Sequence, residues 1–197
     1  CVMRSAEAAC EAGAGNVVFV HDEDPDVLEL FGEGELASIL INFPTPFPKK
    51  KRAPRRLTYL DRLMKYRLVL EEGGTVRMRT DSTPFRDFSL TQLELAGYKI
   101  EWETDDVRGM FPDEPWSGYE RKLVAKGAPV VGFCAVPGPA PEHVEQTAPL
   151  SLVSYLPEDL ENLDYIPFGM QGSIDNIVGY NANRRKKGLP DWRPPIV

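Results

Sequence analysis

Three prolines alternate with other residues in Phe43-Pro44-Thr45-Pro46-Phe47-Pro48, and no other feature limits this chain as strongly. Each proline removes a backbone donor and fixes φ, so neither a helix nor an interior strand can run through the segment. The apolar run from Leu36 to Asn42 therefore ends there as a strand, and a new element has to start beyond it. The next residues are cationic: Lys49-Lys50-Lys51-Arg52-Ala53-Pro54-Arg55-Arg56 places six cations in eight positions. A basic run directly behind so unusual a loop points to function rather than to a solvated surface.

Strands and helices alternate around this loop. Helical spacing covers 2–12 and stops at Gly13 and Gly15, and Asn16 to Val20 reads as a buried strand. A short helix at 26–31 and the strand at 36–42 follow. Beyond the loop the pattern predicts a helix over 57–70 with Thr58 as N-cap, then a strand over 75–80 after the Gly73-Gly74 turn. A helix capped by Ser82 or Thr83 runs to Ala96 and ends at Gly97. A strand at 98–103, a polar stretch to Ser117, a helix at 119–126 and a strand at 129–136 complete the series. Such alternation predicts an α/β domain with a mainly parallel sheet. Gly13-Ala14-Gly15 follows a helix and precedes a strand, the reverse of the dinucleotide-binding order, so it is not a phosphate loop. After Pro137 the texture changes. Residues 137–149 read as a linker rich in Pro and Ala, and residues 150–197 as a Pro-rich extension without strong periodicity. Its aromatics, Tyr155, Tyr165, Phe168, Tyr180 and Trp192, are expected to pack onto something.

The 197 residues are 42% hydrophobic and 27% charged, enough for one core. No apolar run is long enough to span a bilayer, and no signal peptide is visible. Cys1, Cys10 and Cys134 form no CxxC pair and no disulfide framework, which points to a reducing cytoplasm. The two histidines, His21 and His143, are too isolated to suggest a zinc site or a catalytic Cys-His or Ser-His pair. The net charge is −7, yet the cations at 49–56 and at Arg184-Arg185-Lys186-Lys187 form local patches. Basic patches on an acidic body suit a specific anionic partner, because Lys and Arg neutralise phosphates and release counterions. The second patch reads first as a solvated tail.

The stretch Asn42 to Lys50 resembles the hallmark loop of the tRNA (guanine-N7-)-methyltransferase family of the TrmB type, Asn-Phe-Pro-Asp-Pro-Trp-Pro-Lys-Lys. In that family a basic stretch ending in Arg-Arg-Leu follows, here Arg55-Arg56-Leu57. The resemblance continues through Gly73-Gly74, through Arg79-Thr80-Asp81 where the family has Lys-Thr-Asp, through Ser117-Gly118-Tyr119-Glu120, and at Gly127. It covers about residues 2–136.

What it implies is a Rossmann-like class I methyltransferase sheet of α/β class, incomplete at its N-terminal half, with an irregular C-terminal extension. The implied reaction moves a methyl group from S-adenosylmethionine to N7 of a guanosine in the tRNA variable loop, position 46 in tRNA numbering. Asp22 and Asn42 would touch the cofactor. Lys49, Asp81, Ser117, Tyr119 and Glu120 would hold the guanosine, and Lys50, Lys51, Arg52, Arg55 and Arg56 would meet the RNA backbone. Thr45 stands where the family has its catalytic Asp, and Phe47 where it has Trp. The implied partner is tRNA, with no membrane and no metal, in a monomer or homodimer. The family's glycine-rich cofactor turn lies upstream of the first residues here, so an N-terminal segment beyond this sequence is expected. Without it the strand at 16–20 lacks a neighbour and the strand at 36–42 has a bare edge. Two other readings remain: an RNA-binding homologue with impaired catalysis, and a methyltransferase for another substrate.

Overall fold

A computed structural model of the chain describes residues 2–21 and 26–193. Its elements in order are α1 (Val2–Glu11), α2 (Val27–Leu30), β1 (Leu36–Asn42), a 3-10 turn (Lys50–Arg55), α3 (Leu60–Val69) and β2 (Leu70–Thr80). These are followed by α4 (Thr83–Leu95), β3 (Tyr98–Thr104), α5 (Val107–Met110), α6 (Gly118–Val124), β4 (Val131–Pro137), a second 3-10 turn (Leu152–Tyr155) and α7 (Gln171–Lys186).

One four-stranded open sheet of order β1-β2-β4-β3 carries the fold. β1 runs parallel to β2, with Ile39 opposite Val76 and Ile41 opposite Met78. β4 is inserted against both neighbours and runs antiparallel to β2 and to β3. The expectation of a mainly parallel sheet thus needs correction: β1, β2 and β3 point the same way, but two of the three pairings are antiparallel. Periodicity reports that a strand exists and not which way it runs, and a last strand inserted between two others reverses without changing the alternation.

β2 shows how side chains divide the two faces. Val76, Met78 and Thr80 are buried on the side of α3 and α4, while Arg77 and Arg79 point to the opposite face, as the two-residue period of a strand requires. The core gathers Leu60, Leu63 and Tyr66 of α3, Phe85, Phe88 and Leu93 of α4, and Phe133 and Ala135 of β4. The C-terminal segment closes it with Leu152, Met170 and Ile174, all essentially buried. Arg67 of α3 ties the layers together. Its guanidinium donates to the carbonyls of Ala96 and Gly97 at 3.0 and 3.1 Å, and so supplies the donors that the last turn of α4 lacks. Gly97 turns the chain at φ +69°, and a Cβ there would lie 2.7 Å from the Pro139 carbonyl oxygen, so the residue after the cap Ala96 has to be glycine.

Four expectations change. Thr58 does not cap α3: the N-cap is Tyr59, and the Thr58 hydroxyl meets that of Ser89 at 2.7 Å. Residues 16–20 make no strand, and Val17, Val18, Phe19 and Val20 are all exposed. An apolar β-branched run becomes a strand only where another strand offers it a ladder, and none does so among the described residues. The polar stretch before Ser117 contains the single-turn helix α5, capped by Asp106 accepting from Gly109 N. The extension holds the 16-residue α7. Its apolar seam is only Ile174, Ile177 and Val178 among Gly, Asn and charged residues, too sparse to register as periodicity.

Candidate active site

In open α/β sheets ligands settle beyond the carboxyl ends of the parallel strands. The residues singled out by sequence collect there. β1 ends at Asn42 and releases the Pro-rich loop; β2 ends at Thr80 and releases Asp81; α6 leads into β4 at the same end, where Thr80 faces Val131.

The Pro-rich loop is held in a demanding shape. Phe43 and Phe47 have φ of +49° and +44°, a left-handed backbone that costs L-residues about 1–2 kcal/mol each. Each also precedes a proline. Tertiary contacts hold the loop there. Phe43 N donates to Arg79 O at 2.8 Å, fixing the loop's start to the end of β2. Leu152 N donates to Pro48 O at 3.1 Å, fixing its end to the C-terminal segment. Arg56 does most of the rest. Its Nε donates to Pro46 O at 3.0 Å, and its Nη2 donates to Phe47 O at 2.8 Å and to Pro48 O at 3.4 Å. Its guanidinium lies over the Phe88 ring, 4.2 Å from the centroid. Arg56 is fully buried, and burial pulls its guanidinium down to about 10, still protonated at neutral pH. It is a clamp on the loop and not an RNA-backbone contact, which corrects the role expected for it.

The other cations of the run face outward. Lys49, Lys50, Lys51, Arg52 and Arg55 are exposed. Arg55 lies over the Phe47 ring at 4.7 Å. Lys49, Lys51 and Arg52 line a cleft of about 360 Å³ together with Thr45, Phe47, Phe168 and Ser173. Thr45 is exposed on this cleft.

Asp81 sits on a neighbouring cleft of about 430 Å³, with Thr83, Tyr155, Leu156, Leu163 and Tyr165. The Tyr165 hydroxyl donates to Asp81 Oδ2 at 2.5 Å. Burial, and then the hydrogen bond to Asp81 and its charge, push the Tyr165 phenol up. Tyr165 thus keeps its proton and orients the carboxylate. Tyr119 packs edge-on against Phe43, with centroids 5.6 Å apart, and burial followed by the Asp81 charge raises its phenol too. Loop, Asp81 and α6 therefore meet at one place.

Ser117 and Glu120 are placed differently from expectation. Ser117 Oγ accepts from Glu120 N at 3.0 Å and caps α6. The Glu120 carboxylate is 2% exposed and is taken up by Arg108 of α5. Arg108 also donates to Glu114 O at 2.9 Å and lies over Trp116. Glu114 in turn pairs with Arg77 and Arg79. Glu120 is thus part of an ion network behind the site, where its carboxylate is buried against Arg108 and not presented to a cleft. Asn42 is exposed at the end of β1, and Asp22 lies outside the described residues. Sequence reasoning missed Tyr165 as a site residue. The signal for it was weak: one aromatic among several in a Pro-rich extension.

A family model described as "Putative methyltransferase" matches residues 2–133. The chain belongs to this methyltransferase family. Its relatives carry the name expected from the loop. The tRNA (guanine-N(7)-)-methyltransferase of Halalkalibacterium halodurans is 34% identical over 131 residues, covering 64% of this chain and 58% of the relative. That of Geobacillus kaustophilus is 35% identical over 118 residues, covering 59% and 54%. That of Limosilactobacillus reuteri is 32% identical over 129 residues, covering 64% and 61%. The chain thus spans little more than half the length of these relatives. The methyltransferase match stops before the C-terminal segment that supplies Leu152, Tyr165 and Phe168. Among the described residues no helix is long and apolar enough to cross a membrane.

Membership of a methyltransferase family implies a methyl donor, generally S-adenosylmethionine. Toward such a donor the described residues offer the Asn42 amide beside Phe43. Asp22, the acidic residue expected at its adenosine, lies outside the described residues.

Proposed function

We propose that this protein methylates N7 of a guanosine in tRNA, at variable-loop position 46, with S-adenosylmethionine as donor. The observation that carries the reading is the convergence of the Pro-rich loop, the outward cations behind it and Asp81 at the carboxyl ends of β1 and β2. Family membership and the names of the relatives support it.

Guanine N7 carries a free lone pair, so its alkylation needs no strong base. It needs the base held so that N7 faces the donor methyl in a near-attack geometry. Asp81 suits this task. Its Oδ2 is fixed by Tyr165, and its Oδ1 is left to accept from the N1 and exocyclic amine protons of guanine. Tyr119 and Phe43 offer ring surface beside it. Lys49, Lys50, Lys51, Arg52 and Arg55 face the RNA phosphates. Thr45, in the place of the family's acidic residue, can donate and accept a hydrogen bond at the same spot but carries no charge. The free thiols Cys10 and Cys134 and the tRNA substrate fit a cytoplasmic setting.

The test is transfer of labelled methyl from S-adenosylmethionine to unmodified tRNA transcripts, with the modified nucleoside mapped. The expected product is 7-methylguanosine at position 46. Asp81→Asn lowers the rate roughly tenfold or more, the worth of a charge-assisted hydrogen bond to the base. Binding of tRNA without any methyl transfer would favour the RNA-binding homologue, whose supporting observation is Thr45. Transfer to other RNAs but not to tRNA would overturn the substrate.

A further inference from the structure

The cleft behind the Pro-rich loop has one wall from the family-matched region and one from the C-terminal segment beyond it. The second wall is Phe168, Gly169 and Ser173. Phe168 is 74% exposed, although the residues on either side of its turn are anchored: Pro167 and Met170 are buried, and Gly169 turns the chain at φ +79°. Its ring is therefore held out into the cleft instead of joining the core. Facing it are Lys49, Lys51 and Arg52, none of which has a carboxylate partner among the described residues. The second basic run differs: Arg185 is paired with Glu161 and Asp191, and Arg184 donates to Pro190 O and lies over Tyr180. Uncompensated positive charge is thus concentrated where an open aromatic face is also available. The Phe47 ring in the same cleft is already covered by Arg55.

An aromatic platform beside free cations matches one chemistry well, that of a nucleotide whose base is unstacked from its neighbours. The ring takes the base face and the cations take the phosphates. A helical duplex hides its base faces and would use the cations alone. Residues Tyr165 to Gly169 link the two clefts: Tyr165 and Pro167 line the one that holds Asp81, and Phe168 and Gly169 line the basic one.

We propose that Phe168 stacks on an unpaired base of the bound tRNA, a neighbour of the guanosine held at Asp81, while Lys49, Lys51 and Arg52 neutralise the adjoining phosphates. This rests on the tRNA reading given above and adds a recognition residue from the C-terminal segment. It makes that segment part of the substrate site and not a covering for the core alone.

The test is anisotropy titration of a fluorescent unmodified tRNA transcript with the full chain, over a salt series. Phe168→Ala is expected to weaken binding roughly tenfold at every salt concentration, with the slope of log affinity against log salt unchanged, as loss of one base–aromatic stack requires. Phe168→Trp restores the affinity. Lys51→Ala lowers the slope by about one. The exposed ring supports little of the core, so the melting temperature of Phe168→Ala stays at the wild-type value. A blunt RNA duplex is expected to bind Phe168→Ala and wild type equally. If Phe168→Ala binds tRNA as tightly as wild type while Lys51→Ala binds less tightly, the stacking role is overturned and the tRNA reading survives. Equal losses on tRNA and duplex would also overturn stacking. Failure of the wild-type chain to bind tRNA would overturn both.

Discussion

Arg56→Met separates two accounts of the basic run, because a clamp and a phosphate contact lose different things. The guanidinium makes two good hydrogen bonds to loop carbonyls, at 3.0 and 2.8 Å. Charge-assisted bonds of this kind are worth about 1.5–3 kcal/mol each. The stack on Phe88 adds about 1–2 kcal/mol in a desolvated setting. Against this stands the cost of burying the charge, the cause of the lowered Arg56 pKa, which offsets roughly half of the gain. Methionine keeps the stem packing but leaves the Pro46 carbonyl buried without this donor, and the left-handed Phe47 loses one of its restraints. The net loss comes to about 3 kcal/mol. For a chain of this size that corresponds to a fall in melting temperature of roughly 6–12 °C, measured by circular dichroism. Arg56→Lys recovers only part of it, since an ammonium cannot span three carbonyls as the planar fork does. If Arg56→Met melts within about 1 °C of wild type and instead lowers the salt slope of tRNA binding by about one, Arg56 faces the phosphates and the clamp is wrong.

Three further predictions concern packing, titration and chemistry. Gly132→Ala places a Cβ against the Met78 carbonyl oxygen and 3.0 Å from Val107 Cγ2, so β2 and β4 have to separate; a loss of about 3 kcal/mol in urea unfolding is expected, and a loss below about 1 kcal/mol would refute the close approach. Burial raises the phenols of Tyr66, to about 12, and of Tyr98 and Tyr165, so above pH 10 the unfolded chain releases protons that the folded chain keeps. Stability therefore falls as pH rises from about 10 toward 12, with Tyr66 alone removing roughly 2 kcal/mol by the end of that window. Arg56, whose folded value is depressed, works in the opposite direction over the same window, but three tyrosines outweigh it. Unfolding followed by tyrosinate absorbance checks the sign, and rising stability would contradict it. Thr45→Asp restores a carboxylate at the loop position where the family carries one and raises methyl transfer to tRNA; an unchanged rate would show that the surrounding residues no longer use a charge there.

The parts of this fold that were legible in sequence are those fixed by local chemistry. β1 ends where Pro44 removes its donors, and α4 ends at Gly97. What escaped depends on partners distant in the chain. Val17 to Val20 have the composition of a strand without a ladder to join. The reversal of β4 is a matter of where a chain returns, which periodicity does not encode. Within the site, the outward and inward members of Arg55-Arg56 look identical in sequence and part company only because Pro46, Phe47 and Phe88 surround one of them. Glu120 looked like a free carboxylate because Arg108, twelve residues earlier in a polar stretch, gave no sign of folding back on it.

The C-terminal segment imposes an order of events on synthesis. The Pro48 carbonyl waits for the amide of Leu152, and Asp81 for the hydroxyl of Tyr165, 84 residues later. All four strands can leave the ribosome and pair before either bond exists. A nascent chain therefore has its scaffold early and its chemistry last, and contacts of such long range are also slow to form. A chain cut or stalled after β4 has neither the loop's far anchor nor the oriented carboxylate, and its core stays open where Leu152, Met170 and Ile174 close it.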